Sequence, residues 1–335
     1  MSAAPIVERS GAAVPRRAAA WKLALLAIVV LGLVIVAAYA KRSEVYLLTL
    51  YCVYLMATMG LNLTVGYAGQ MSLGQAAFLG IGAYIAAIAL KAGVPFLVVL
   101  PMAAVACFVL GLALGFPALR VQHHYLAFAT LGFNVLVFLV MRNEEAITGG
   151  TFGISGIPRP HILVDLSGHL AFFYFTLGSL LLVGFAMWWI LRSPWGRAFA
   201  ALRDNPIRAE SLGINITAYT LLAFAIGAAC GGIAGVYYAS LVEFIEPGPF
   251  HFSTSLLMLL AVIVGGSGRF FGPVLGTIII ILLPELLRSS SLPWLKFMQT
   301  WYLAVFGLAV VMLMIWLPGG LLSIPDRLRH RRVSK

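Results

Sequence analysis

Phe96-Leu-Val-Val-Leu-Pro-Met-Ala-Ala-Val-Ala-Cys-Phe-Val-Leu-Gly-Leu-Ala-Leu-Gly-Phe116 contains no charged residue and no alternation of polar with apolar positions. A bilayer core takes about 20 apolar residues per helix, whereas a lipid-facing barrel strand alternates. The stretch therefore reads as a membrane-spanning helix. Working outward, the same reading gives spans near 23–39, 46–65, 72–90, 96–116 and 125–141. A second group lies near 170–191, 218–241, 255–266, 271–287 and 302–317. The pair flanking Gly265-Gly266-Ser267-Gly268 includes a short first member, and the two read equally as one broken element. The 335 residues are 62% hydrophobic and 10% charged, against about 25% charged in soluble domains. Mean hydropathy is +1.01. The expected fold class is an all-α polytopic membrane protein of about ten transmembrane helices.

Basic residues mark the cytoplasmic side of such a chain. With the N-terminus inside, the inner segments hold 15 of the 22 basic residues and 4 of the 11 acidic ones, and the outer segments hold 7 of each. That asymmetry fits ten spans with both termini cytoplasmic; Lys41-Arg42, outside, is a local exception. The expected organisation is a cytoplasmic segment 1–22, a transmembrane domain 23–317 and a basic cytoplasmic tail 318–335. The longest outer connection is 142–169, and the main inner one is 193–213. The first span has a rival reading, because Arg16-Arg17, an apolar stretch and Ala38-Tyr39-Ala40 resemble a cleavable signal peptide.

Several chemistries are absent. Cys52, Cys107 and Cys230 lie inside apolar runs and match no metal spacing, so they read as small core residues. The six histidines are scattered, and no metal site is expected. No G-x-x-x-x-G-K-[ST] or H-E-x-x-H occurs. No acid falls near the middle of an expected span; Glu285 is nearest. Ion-coupled carriers usually place ionisable groups within the bundle. No catalytic residues are expected.

Gly60 to Gly82 is unusually rich in glycine and in polar groups at membrane depth. Gly66 and Gly69 would end one helix. Ser72 would cap the next, with Gln75 in a capping-box position. Irregular backbone at this depth is tolerated only where protein or water covers it. One reading is a translocation path lined by Asn62, Thr64, Gly66, Tyr67, Gly69, Gln70, Ser72 and Gln75, with a helix start near Ser72 favouring a carboxylate. The other is close helix packing through small residues such as Gly74, Ala77 and Gly80 to Ala83. A second break holds Gly265, Gly266 and Gly268, and the pair hints at an inverted five-plus-five repeat.

The segment Ser193-Pro194-Trp195-Gly196-Arg197 through Arg203-Asp204-Asn205-Pro206 to Gly213 is polar among hydrocarbon. Trp195, Phe199 and Leu202 share one helical face, while Arg197, Arg203 and Arg208 decorate others. Pro194 suits a first turn. Asn205-Pro206 reads as N-cap and first residue of a second short helix, closed by Gly213. Such a loop suits gripping a partner outside the bilayer; lying on anionic headgroups is the alternative.

Five stretches together give a resemblance. They are Gly60-Leu-Asn-Leu through Gly69 to Gly82-Ala83-Tyr84; Pro117-Ala118-Leu119-Arg120 with Tyr125-Leu126-Ala127; and Thr148-Gly149-Gly150 through Gly153-Ile154 to Gly156-Ile157-Pro158-Arg159-Pro160. The fourth is Gly196-Arg197-Ala198 through Arg203-Asp204-Asn205 to Leu212-Gly213-Ile214, and the fifth is Gly265-Gly266 with Gly268, Gly272-Pro273 and Gly276. The chain resembles, over nearly its whole length, the M-type permease subunit of bacterial branched-chain amino-acid ABC importers.

The resemblance implies a pore-forming inner-membrane subunit. Its implied partners are a homologous H-type permease, two cytoplasmic ATPases and a periplasmic binding protein. ATP and magnesium would sit on the ATPases and none on this chain. It makes 193–213 the ATPase-coupling loop, with Trp195, Gly196, Arg197, Phe199, Leu202, Arg203, Asp204, Arg208, Glu210 and Gly213 as its residues. Pro206 stands where the family pattern has an acidic residue after Asn205. The 142–169 loop either receives the binding protein or is an ordinary connection. Urea, short amides and aromatic acids travel through related permeases and stay open as cargo. An autonomous secondary carrier and an intramembrane enzyme are the readings from other classes.

Overall fold

The computed structural model describes residues 32–118, 123–160, 168–282 and 320–323. The expected span 302–317, Glu285, residues 1–31 with most of the first span, and all of the tail but 320–323 lie outside the described residues. The rest is helical apart from short connections. Helix α1 covers residues 32–39. It is followed by α2 (Arg42–Leu61), α3 (Gln75–Lys91), α4 (Phe96–Ala118) and α5 (His123–Asn143). A one-turn α6 (Glu145–Thr148) precedes α7 (His169–Arg192), α8 (Pro194–Asp204), α9 (Pro206–Ser211) and α10 (Ile216–Val242). The described chain ends with α11 (Phe252–Gly266) and α12 (Gly272–Thr277).

Five helical stretches are long and apolar enough to cross a membrane: Arg42–Tyr67, Phe96–Phe116, Leu126–Asn143, His169–Arg192 and Ile216–Val242. Gln75–Lys91 and Phe252–Gly266 are shorter apolar helices. This is a multi-pass helical membrane fold, and its boundaries follow the apolar runs closely. Among the described residues the β content is a two-residue antiparallel pair, β1 (Ile154–Ser155) with β2 (Phe244–Ile245), in register Ile154 opposite Ile245.

Helix α10 is the hub, with α2, α3 and α4 packed around it. Glycine makes this possible. A Cβ on Gly60 would lie 2.7 Å from the Gly227 carbonyl oxygen, and one on Gly82 would overlap the Gly232 backbone. Gly235 meets Leu79 and Ala83 in the same way, and Gly232 also faces Cys107 of α4. Lipid tails are as apolar as leucine, so helices in a bilayer associate through close packing of this kind. The small-residue reading of Gly60 to Gly82 therefore holds for Gly60 and Gly82. Around the seam lie Phe78, Tyr237, Phe172 and Phe173, all fully buried.

Helices α11 and α12 form a hairpin on α2. Gly265 packs on Gly272 and Gly276 on Ala261, with no space for a side chain at either place. The hairpin is pinned by Thr58 to Thr277 (2.9 Å) and by Tyr51 Oη donating to the Val274 carbonyl (3.1 Å). Those hydroxyls lie among apolar side chains, where a polar group without a partner would cost several kcal/mol.

The Gly82→Val variant puts branched bulk onto the Gly232 backbone. Overpacking of this kind costs typically about 1–3 kcal/mol. Gly178 has open space where a Cβ would go. Detergent-solubilised Gly82→Val should unfold at a clearly lower temperature than the parent chain, and Gly178→Ala should not. A thermal melt followed by size-exclusion chromatography reads both.

Candidate functional site

The first break starts where α2 widens into a π-helical turn over Asn62–Tyr67. The amide of Ala68 closes on the Leu63 carbonyl (3.0 Å), and that of Gln70 on the Thr64 carbonyl (2.9 Å). Gly69 then takes φ +72°, in the region that favours glycine. From Gly69 to Gly74 the chain is irregular. Gly69 and Met71 are exposed, while Gln70 and Ser72 point in.

Helix α3 starts at Gln75 and not at Ser72. Its N-cap position is Gly74, and no side chain caps it. Ser72 Oγ accepts from the Gly74 amide at 3.4 Å, and Gln75 does not fold back. The Gln75 amide instead donates to the carbonyls of Ala57 (2.9 Å) and Gly227 (3.1 Å). Buried acceptors on two helices outcompete a local capping box. Two backbone amides at the α3 start are engaged by side chains of other helices. The Leu73 amide donates to Thr130 Oγ1 (2.9 Å) and the Ala76 amide to Ser255 Oγ (2.8 Å), which also accepts from Asn134 Nδ2 (2.8 Å). At the expected carboxylate site the Leu73, Gly74 and Ala76 amides are thus engaged within the protein.

The second break lies against the first. Asn62 is 3% exposed. Its Oδ1 accepts from the Gly268 amide (3.0 Å), and its Nδ2 donates to the Arg269 carbonyl (3.1 Å). One side chain thus clips both sides of the 265–272 turn. Thr64 Oγ1 donates to the Ala223 carbonyl of α10 (3.3 Å). The guanidinium of Arg269 donates to the Leu322 carbonyl, and Gly320 packs on Gly266, so residues 320–323 lie over the same end of the bundle.

Helices α8 and α9 complete this end. Ser193 Oγ accepts from the Trp195 amide (3.1 Å), with Pro194 in the first turn; Asn205 Oδ1 accepts from the Arg208 amide (3.0 Å), with Pro206 likewise placed. Gly213, at φ +81°, follows the second helix. Gly196 presses on the Leu191 carbonyl, which sets the sharp turn from α7. Phe199 and Leu202 are buried. Phe199 lies among Leu63, Ala68, Val183, Met187 and Ala223, edge-on to Tyr219. Trp195 does not join that face: it is 45% exposed, because α8 rolls its Gly196–Ala198–Phe199–Leu202 side onto the bundle.

Arg203 Nη1 donates to the Gly66 carbonyl at 2.5 Å. Arg197, Asp204, Arg208 and Glu210 are exposed.

Of the expected path residues, Asn62 and Gly66 lie against Gly268 of the second break. Asn62 and Tyr67 line a cavity of about 10 Å³ with Met59, Leu63, Met187, Leu191 and Phe270. That is room for one water at most. Gly265 and Gly266 are buried against α12 and Gly320. Among the described residues, no group of His, Cys, Asp and Glu is placed to hold a metal.

Sequence reasoning missed Thr130, Asn134 and Ser255, single polar residues in apolar helices. It also missed Ile207 and Leu212, each 79% exposed on the α9 side. Their signal was available in principle: two large aliphatics in a strongly polar inner segment.

At the opposite end, 142–160 is a structured connection. Gly149, Gly150, Gly153 and Gly156 take positive φ, Lys91 Nζ donates to the Ser155 carbonyl (3.0 Å), and Arg159 pairs with Glu243. Phe152 projects from it, 86% exposed.

The chain matches the family model described as branched-chain amino acid transport system / permease component over residues 44–315. It is 35% identical over 311 residues to the high-affinity branched-chain amino acid transport system permease protein LivM of Escherichia coli K12, covering 85% of this chain and 71% of that one. The protein of the same description from Salmonella typhimurium LT2 is 34% identical over the same shares. The probable branched-chain amino acid transport permease protein LivM of Methanocaldococcus jannaschii is 28% identical over 242 residues, 68% of this chain and 67% of its own. No solved structure matches.

Gln75→Leu leaves the Ala57 and Gly227 carbonyls without their side-chain donor. Both carbonyls keep their intrahelical amides, so what is lost is two side-chain hydrogen bonds, about 0.5–1.5 kcal/mol each. Gln70 makes a single 3.4 Å bond to Ala68. Gln75→Leu should lower the melting temperature well below that of Gln70→Leu in the same detergent.

Proposed function

The chain belongs to the branched-chain amino acid permease-component family and is a permease subunit, and on that premise we propose that it is the M-type pore-forming subunit of an ATP-driven importer of branched-chain amino acids. The expected ten spans, the inverted repeat and cytoplasmic termini belong to this reading, as does residence in the inner membrane. So do its partners: an H-type permease, two ATPases that hold ATP and magnesium, and a periplasmic binding protein. The coupling loop is 193–213. The path runs along the Gly69–Leu73 stretch, where Gly69 and Met71 are exposed, and is shared with the second permease.

One observation carries the reading. Helices α8 and α9 are fixed to the bundle by Phe199 and Leu202 on one side and present Ile207 and Leu212 on the other, beside Arg197, Arg208 and Glu210. Two bare aliphatics within a charged rim form a docking face for a protein: the centre of an interface is apolar and its rim polar. The orientation fits too, since basic residues crowd this end.

The Ile207→Asp/Leu212→Asp double variant should melt like the parent, because both side chains are exposed. Co-purification of the ATPases should fail, and uptake by the reconstituted five-component complex should fall by about tenfold or more, as loss of interface anchors does. Retained ATPase in the pull-down counts against the docking face. Cysteines introduced at Ile207 and Phe152 test orientation: an impermeant maleimide should label the second in intact spheroplasts and the first only after permeabilisation.

A further inference from the structure

Arg203 stands apart from its neighbours on α8. Its side chain is exposed like theirs, but Nη1 reaches back to the bundle and donates to the Gly66 carbonyl at 2.5 Å through a partly buried bond. Its Cα lies 3.4 Å from where a Cβ on Gly69 would be. Its guanidinium fills the space that a side chain at Gly268 would occupy; Gly268, at φ +75°, supplies the gap. Gly268 is in turn held by Asn62, one turn before Gly66. Four segments therefore meet at one point: the π turn, the irregular stretch after it, the second break and the inner helix.

Gly66 lies in the last turn of a long helix, where carbonyls lack following amides and the dipole end is negative. A guanidinium there makes a charge-assisted bond, roughly twice the strength of a neutral one.

We propose that Arg203 is a positioning residue of the transmission joint and not part of the ATPase contact: it bolts α8 to both membrane breaks, so that movement of α8–α9 is carried into the Gly66–Gly74 segment. The proposal rests on the permease reading above. Small displacements pass through packed and hydrogen-bonded elements with discrete arrangements. A joint of one side-chain amide, one guanidinium and three glycines has few ways to yield.

The test uses the complete importer, with its ATPases, second permease and binding protein, in proteoliposomes. Wild-type uptake is measured first; if the wild-type complex does not transport, the permease reading fails whatever Arg203 does. Arg203→Met keeps the stem that packs along Gly69 and removes the guanidinium that fills the space at Gly268 and donates to Gly66. It should assemble with the ATPases and hydrolyse ATP at near the parental basal rate, while uptake per ATP falls about tenfold, within the usual span of coupling between sites. Arg203→Lys, which restores a charged donor, should recover most of that ratio. Loss of the ATPases from Arg203→Met, or an unchanged uptake per ATP, overturns the proposal.

A second measurement keeps Arg203 in place. Spin labels at Met71→Cys and Ala200→Cys, both exposed, should hold one mutual distance between the nucleotide-free and ATP-trapped states, while each moves relative to a label at Phe152→Cys. A change in the 71–200 distance of about 5 Å, one helical turn, overturns it as well. Should Arg203→Met fail to assemble through misfolding, the label distances decide alone.

Discussion

Backbone inside a bilayer must find partners within the protein, because no water is there to provide them. This chain interrupts its helices at Gly66–Gly74, and the structure around that point answers the resulting debt of donors and acceptors. Gln75 serves two carbonyls from two helices, Thr130 and Ser255 take amides at the start of α3, and Asn62 serves the second break. These partners come from α2, α5, α10 and α11. The break can exist only where those helices converge, so the arrangement of the bundle and the position of the break fix one another.

The convergence depends on glycine. The seams Gly60 to Gly227, Gly82 to Gly232 and Gly265 to Gly272 bring backbones to distances that any Cβ would forbid. Close approach allows short side chains such as Gln75 and Thr64 to reach a neighbouring helix's carbonyls, so packing and polar satisfaction are one design. The two readings of the Gly60 to Gly82 stretch, packing seam or irregular path, divide by position. Gly60 and Gly82 are seam. Gly66 and Gly69 lie in the break, where Gly66 makes room for the second break and Gly69 supplies the positive φ.

The class, the approximate helix boundaries and the two short inner helices were legible in the chain, since each depends on local chemistry. Apolar runs of spanning length, Pro after Ser193 and Pro after Asn205 act within a few residues. The errors arose where distant partners decide. Ser72 followed three residues later by Gln75 has the form of a capping box, but the Ala57 and Gly227 carbonyls take the glutamine. Trp195 shares a helical face with Phe199 and Leu202 by spacing, but the sharp Gly196 turn rolls it outward. Thr130, Asn134 and Ser255 carry no local pattern at all. Only the arrival of the α3 N-terminus beside them gives them a role, and no single-chain periodicity encodes that arrival.

Helices α8 and α9 tie the two levels together. Phe199 packs on Leu63 and Ala68, residues of the break itself, and Arg203 bonds the break's carbonyl. An inner helix resting only on lipid headgroups would need neither. The headgroup reading of Ser193–Gly213 explains exposed Trp195 and Arg197 but leaves buried Phe199 and the Arg203 bond to Gly66 without purpose. It also places Ile207 and Leu212 on an arm that already has a firm attachment to the bundle. A segment attached on one side to the least regular part of the membrane domain, and bare on the other, is built to be pushed. The two faces of α8–α9 meet that requirement, and the Arg203 bond to the Gly66 carbonyl makes their two-sidedness mechanical rather than merely amphipathic.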